Sequence, residues 1–77
     1  MQDKYPLPKY IYDYTEPELQ RFRELCNFTE RELEVFNLKA KGRTNFSIAG
    51  EANMSESTVS NYMRRIKKKM LTVVEKL

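Results

Sequence analysis

The amino-acid sequence predicts an all-α fold: a small helical domain of four helices with a helix-turn-helix at its centre. Four times a serine or threonine stands just ahead of apolar residues at helical spacing, at Thr15, Thr29, Thr44 and Ser55. A hydroxyl at such a point accepts a free N–H group of the first helical turn. Between the third and fourth of these segments only a tight turn fits, at Asn53, a residue that tolerates left-handed backbone angles. Two helices joined so closely are expected to cross steeply, since there is no room for a long hairpin. A chain of 77 residues has room for one domain with a modest core.

Residues 1–14 read as a tyrosine- and proline-rich N-terminal arm, with the domain itself over 15–77. Pro6 and Pro8 favour an extended path. Tyr5, Tyr10, Tyr12 and Tyr14 are expected to cover apolar surface that a small core leaves open, with stacking on bases or on a partner as the alternative. The first helix, about 16–26, starts with Thr15 as N-cap, Glu18 completing a capping box and Tyr14 placed to pack on Leu19. Pro17 sits in the first turn, where it forfeits no intrahelical hydrogen bond. Leu19, Phe22 and either Leu25 or Cys26 form the buried stripe.

The second helix, about 30–41, repeats the same start: Thr29 caps, Glu32 completes the box, and Phe28 is placed against Leu33. Its expected inner face is Leu33, Phe36 and Ala40, with Val35 flanking, and Gly42 after Lys39 and Lys41 marks its end. The acidic triplet Glu30, Glu32 and Glu34 is read as dipole partners and solvated surface. The third helix, about 45–52, turns Phe46 or Ile48 inward together with Ala49, and Gly50 in its middle suggests close packing by the next helix. The fourth, about 56–76, carries Val59, Met63, Ile66, Met70, Val73 and Leu77 at alternating spacings of four and three, without Gly or Pro to stop it. Beyond Met70 this stripe outgrows a three-helix core. Val73, Val74 and Leu77 are therefore expected to meet the first helix, the arm or a second copy of the chain, as a homodimer.

Composition narrows the function. A single cysteine, Cys26, and no histidine exclude an intramolecular disulfide and any His-based or multi-Cys metal site. No nucleophile–base pair, metal cluster or phosphate loop is found, so neither catalysis nor a cofactor is expected. No apolar run approaches the ~20 residues of a membrane span, and residues 1–4 do not resemble a secretory signal, so cytoplasmic residence is the expectation. Charge is unevenly placed. Residues 1–38 hold five basic and eight acidic side chains, a net of −3, whereas residues 39–77 hold nine and three, a net of +6. A polyanion is drawn to the half that holds the two-helix motif and repelled from the other. The outer face of the fourth helix, Ser57, Ser60, Asn61, Arg64, Arg65, Lys67 and Lys68, mixes small hydrogen-bonding groups with cations, which suits a DNA major groove.

The stretch 29–70 resembles the LuxR/GerE-type helix-turn-helix domain of bacterial transcription regulators. The resemblance is carried by Thr29-Glu30-Arg31-Glu32-Leu33-Glu34-Val35, Gly42, Asn45 with Ile48-Ala49, Ser55-Glu56 with Thr58-Val59, and then Ile66 and Lys69-Met70. Sigma factor region four is similar over the same stretch. Leu71 stands where the LuxR-type pattern usually has a glycine, and Ser60, Tyr62, Gly50 and Ala52 also depart from it. The resemblance implies a stand-alone regulator that places the helix beginning at Ser55 in the major groove of double-stranded DNA. It implies base contacts from Ser60, Asn61 and Arg64. Phosphate contacts are expected from Thr44, Asn45, Ser57, Thr58, Tyr62, Arg65 and Lys68, and from Lys41 and Arg43 beside the motif. The alternative is a module of the same shape that docks on a transcription factor or RNA polymerase through the tyrosine arm and the Val73–Leu77 stripe.

Overall fold

The computed structural model describes Ile11 and residues 14–76, without the side chains of Glu75 and Lys76. The expectations for Tyr5, Tyr10, Tyr12 and Leu77 lie outside the described residues. Four helices follow one another: α1 (Glu16–Leu25), α2 (Glu30–Ala40), α3 (Asn45–Ala52) and α4 (Glu56–Lys76). Each agrees with its predicted range to within one residue.

Both capping boxes form. The Thr15 hydroxyl accepts the Glu18 N–H at 3.4 Å, while the Glu18 carboxylate accepts the Thr15 N–H at 2.8 Å. At α2 the matching bonds run from the Glu32 N–H to the Thr29 hydroxyl at 3.2 Å and from the Thr29 N–H to Glu32 at 3.0 Å. The aromatic residue ahead of each cap stacks on a ring eight residues later. Tyr14 meets Phe22 edge-on with centroids 4.9 Å apart, and Phe28 meets Phe36 at the same separation. Each ring partner lies one turn beyond the expected staple residue, Leu19 or Leu33, and an edge-on or tilted ring pair adds contact of its own.

The core gathers on α4. Val35, Phe36, Ile48, Val59, Ile66 and Met70 are fully buried, joined by Leu19, Phe22 and Cys26 from α1. Cys26 rather than Leu25 turns inward, and Ile48 rather than Phe46, which is 74 % exposed. On α2 the buried stripe is Glu32, Val35 and Phe36, so Val35 is central and Leu33 only half-buried. The helix is rotated from its expected setting because the Glu32 carboxylate is drawn inward to Lys69 of α4, 2.5 Å away.

One further expectation is corrected by the structure, and another is resolved between its alternatives. Gly50 is exposed, and a Cβ built on it meets no atom within 4 Å, so it makes no room for α4. Val73 is buried in the monomer's own core, where the cluster also includes Ile11, Leu19 and Phe22. Val74 is half-buried against the same cluster. The stripe that outgrew three helices is met by α1 and by Ile11 at the end of the arm.

Candidate nucleic-acid interface

The turn between α3 and α4 depends on Asn53, whose backbone sits at φ 56°, ψ 52°. This left-handed conformation ends α3 and lets the Met54 N–H return to the Ala49 carbonyl at 3.0 Å. Ser55 then caps α4: its hydroxyl accepts the Thr58 N–H at 3.1 Å and donates to the Thr58 hydroxyl at 2.9 Å. Ala52 and Ile48 plug the angle between the helices, and the Arg31 guanidinium of α2 donates to the Ala52 carbonyl at 3.2 Å. The start of α4 is thus fixed from behind by α2 and α3.

Along α4 the buried residues Val59, Met63, Ile66 and Met70 define one side. At 100° per residue, Ser57, Asn61, Arg64 and Lys68 fall on the opposite side, and all four are exposed. Arg64 donates to the Asn61 side-chain oxygen at 2.9 Å, so the two polar groups stand together on the outermost ridge. Ser60 lies on one flank and is half-buried; Tyr62 lies on the other, also half-buried, with the Arg65 guanidinium 5.4 Å from its ring centroid. The ridge offers amide, hydroxyl and guanidinium groups, with cations on either side.

Residues 26–73 match the GerE family, bacterial regulatory proteins of the luxR family. The chain belongs to this family. Comparison with curated proteins and with solved structures found no match. Membership of the luxR family makes the chain one of a group of DNA-binding transcription regulators, and the all-α architecture agrees with it. No helix among the described residues is long and apolar enough to cross a membrane.

Around the ridge, the start of α3 gathers a second group. Thr44 is exposed, and its hydroxyl accepts the Ser47 N–H at 3.1 Å. Asn45 is half-buried and accepts a bond from the Lys39 ammonium at 3.0 Å. Lys41 is exposed. Arg43 is engaged by the Glu51 carboxylate across α3, so part of its charge is already matched. Thr58 is half-buried and occupied in the cap, whereas Arg65 is exposed.

Lys39 has no role in the sequence reading, and Lys67 stands there only among the cations on the outer face of the fourth helix. Lys39 sits on the inner stripe of α2, seven residues after Glu32, and burial followed by the charge of Lys67 holds its ammonium below the ordinary lysine range. The signal lay in the sequence, since Glu32, Val35, Phe36 and Lys39 have helical spacing, but the stripe had been centred on Leu33. The inner titratable groups serve the scaffold. Burial alone would raise the Glu32 pKa, yet hydrogen bonds from Lys69 and the Thr29 N–H outweigh it and hold the carboxyl below its usual range. Burial pushes the Cys26 thiol up to about 11, against a lowering pull from Lys69, so it is an inert apolar filler.

Proposed function

We propose that this luxR-family chain is a sequence-specific DNA-binding transcription regulator that lays the first half of α4 in the major groove. Ser60, Asn61 and Arg64 meet base edges; Thr44, Asn45, Ser57, Thr58, Tyr62, Arg65 and Lys68, with Lys41 and Arg43, meet phosphates. The observation that carries this reading is the exposure of Asn61 and Arg64 on the side of α4 opposite Val59, Met63 and Ile66. Arginine pairs bidentately with guanine and asparagine with adenine, each worth about 1–3 kcal/mol of discrimination, whereas serine contributes less.

The domain spans 15–77 and is preceded by the arm. The alternative, docking on a protein through the arm and the Val73–Leu77 stripe, loses surface because Val73 is enclosed by its own chain. A homodimer through the same stripe likewise loses Val73, and as a dimer the chain would read two half-sites about one helical turn apart.

Duplex binding measured at several salt concentrations tests the reading. Each phosphate contact contributes a slope of about −0.9 in log K against log salt, so six or more contacts lower affinity by about 10³-fold between 50 and 200 mM salt. Affinity that does not change with salt refutes the proposal.

A further inference from the structure

Resting on the DNA-binding reading above, we propose that Lys39, Lys67 and Asn45 form a seat for one backbone phosphate, beside the ridge that meets the bases. The inner stripe of α2 carries a charge at each end, Glu32 and Lys39, with Val35 and Phe36 between them. At the first end the charges match: the buried Glu32 carboxylate faces the Lys69 ammonium of α4 at 2.5 Å. At the other end they do not. Lys39 is half-buried, its ammonium donates to the neutral Asn45 side chain at 3.0 Å, and the charge that bears on it from α4 is Lys67, of the same sign. Among the described residues, no acidic side chain forms a salt bridge with Lys39 or Lys67. Burial and a like charge both oppose an ammonium ion, which is why the pKa of Lys39 is displaced downward.

An anion between the two lysines would relieve both effects. Each of the three groups can donate. Asn45 uses its oxygen to accept from Lys39, which leaves its amide N–H groups to donate. Two ammonium groups and an amide suit phosphate oxygens and reject cations. The place is also right for a nucleic-acid backbone. Asn45 opens α3 directly after the cap Thr44. On α4, Lys67 lies two turns beyond Ser60 and one turn beyond Arg64 on the same strip, about 10 Å and about 5 Å along the helix axis from these two residues.

The test replaces the lysines by a helix-forming aliphatic residue, as Lys39→Leu, Lys67→Leu and the double variant, with Lys39→Arg/Lys67→Arg as the charge-keeping control. Two quantities are measured on the full chain: stability in urea and duplex affinity as salt is raised. The double leucine variant is expected to be more stable than wild type and yet to bind DNA more weakly, whereas the arginine control keeps wild-type affinity. The salt slope of the double leucine variant should fall by about 0.9, so its disadvantage shrinks about threefold as salt rises from roughly 50 to 200 mM. A methylphosphonate at the contacted position should weaken wild type and leave the double leucine variant unaffected.

An unchanged slope and affinity in the double leucine variant overturns the seat, as does a loss of stability and affinity together, which is what a merely structural lysine would give. Saturable protection of wild type by inorganic phosphate, with the DNA slope of the variant unchanged, would assign the site to a free anion and overturn the backbone contact. Wild-type binding that ignores salt would instead refute the DNA-binding reading itself.

Discussion

Replacing Lys69 by methionine isolates the ion pair that orients α4. The Glu32 side chain is 4 % exposed and the Lys69 side chain 33 % exposed. Lys69 also donates to the Asn27 carbonyl at 3.2 Å and stands 5.9 Å from the Phe28 ring centroid. Methionine keeps most of the stem volume but leaves the carboxylate buried without its main counter-charge. Removing one partner of a fully buried pair costs about 3–5 kcal/mol. Lys69 retains one third of its exposure and the Thr29 N–H stays on Glu32, so about 2–3 kcal/mol is expected here. A 77-residue chain has a total stability of about 4–12 kcal/mol, so the loss is easily resolved by urea unfolding followed by circular dichroism.

The pH dependence makes the test specific. In wild type the folded-state pKa of Glu32 is lowered, so its stabilisation is fully present above the unfolded value of about 4.3 and is lost as pH falls through the folded value. In Lys69→Met burial dominates and the folded pKa rises above the unfolded one. The penalty is then largest near neutral pH and fades as Glu32 becomes protonated toward pH 4. A loss below about 1 kcal/mol at pH 7, or one of equal size at pH 7 and pH 4, refutes the reasoning. The double change Glu32→Gln/Lys69→Met should recover much of the stability, because no buried charge is left unmatched.

Gly50→Ala should raise stability by about 0.4–1 kcal/mol, seen as a higher urea midpoint, since the added Cβ meets nothing and the glycine's flexibility in the unfolded chain is reduced. Asn53→Val should lower it by about 1–2 kcal/mol while Asn53→Gly stays close to wild type, because only the β-branched residue is strained at φ 56°. Arg64→Ala should relax base preference at one position by about 1–3 kcal/mol in a competition between duplexes. Because Arg64 holds the Asn61 oxygen, the base met by Asn61 should shift as well. Lys68→Ala should weaken all sequences alike and reduce the salt slope by about 0.9.

All four helices were legible because their starts are written in local chemistry. The capping boxes Thr15/Glu18 and Thr29/Glu32 need only neighbours in sequence, and Asn53 needs only its own backbone tolerance. What was misjudged depends on groups far apart in the chain. The rotation of α2 follows from Lys69, 37 residues after Glu32. Treating Glu32 as solvated surface hid this, since a capping glutamate and a buried ion-pair partner look the same in one sequence. Gly50 misled for the opposite reason: a helical glycine suggests a close neighbour, but here the space is open. The exposed face of α4 was readable from spacing and its candidate base contacts from the family resemblance, whereas the setting of Lys39, although its spacing from Glu32 is helical, depends on that same rotation.

The single long helix also explains how a small domain can hold its ridge steady. Twenty-one residues of α4 span about 31 Å, and the candidate base contacts occupy only its first half. The front is braced by Val35 and Phe36 of α2 and by Ile48 of α3, packed around Val59, Met63 and Ile66. A rod held only there would pivot about the α3–α4 turn. Farther along, α1 contributes Leu19, Phe22 and Cys26 to the same continuous cluster, which takes in Met70 and Val73 as well, and Lys69 is tied to α2. The repeated start of α1 and α2, an aromatic residue, a threonine cap and a glutamate box, therefore supplies two similar braces against one lever. Weakening the rear brace should change the angle of the ridge, and so the affinity for DNA, without removing any group that meets it.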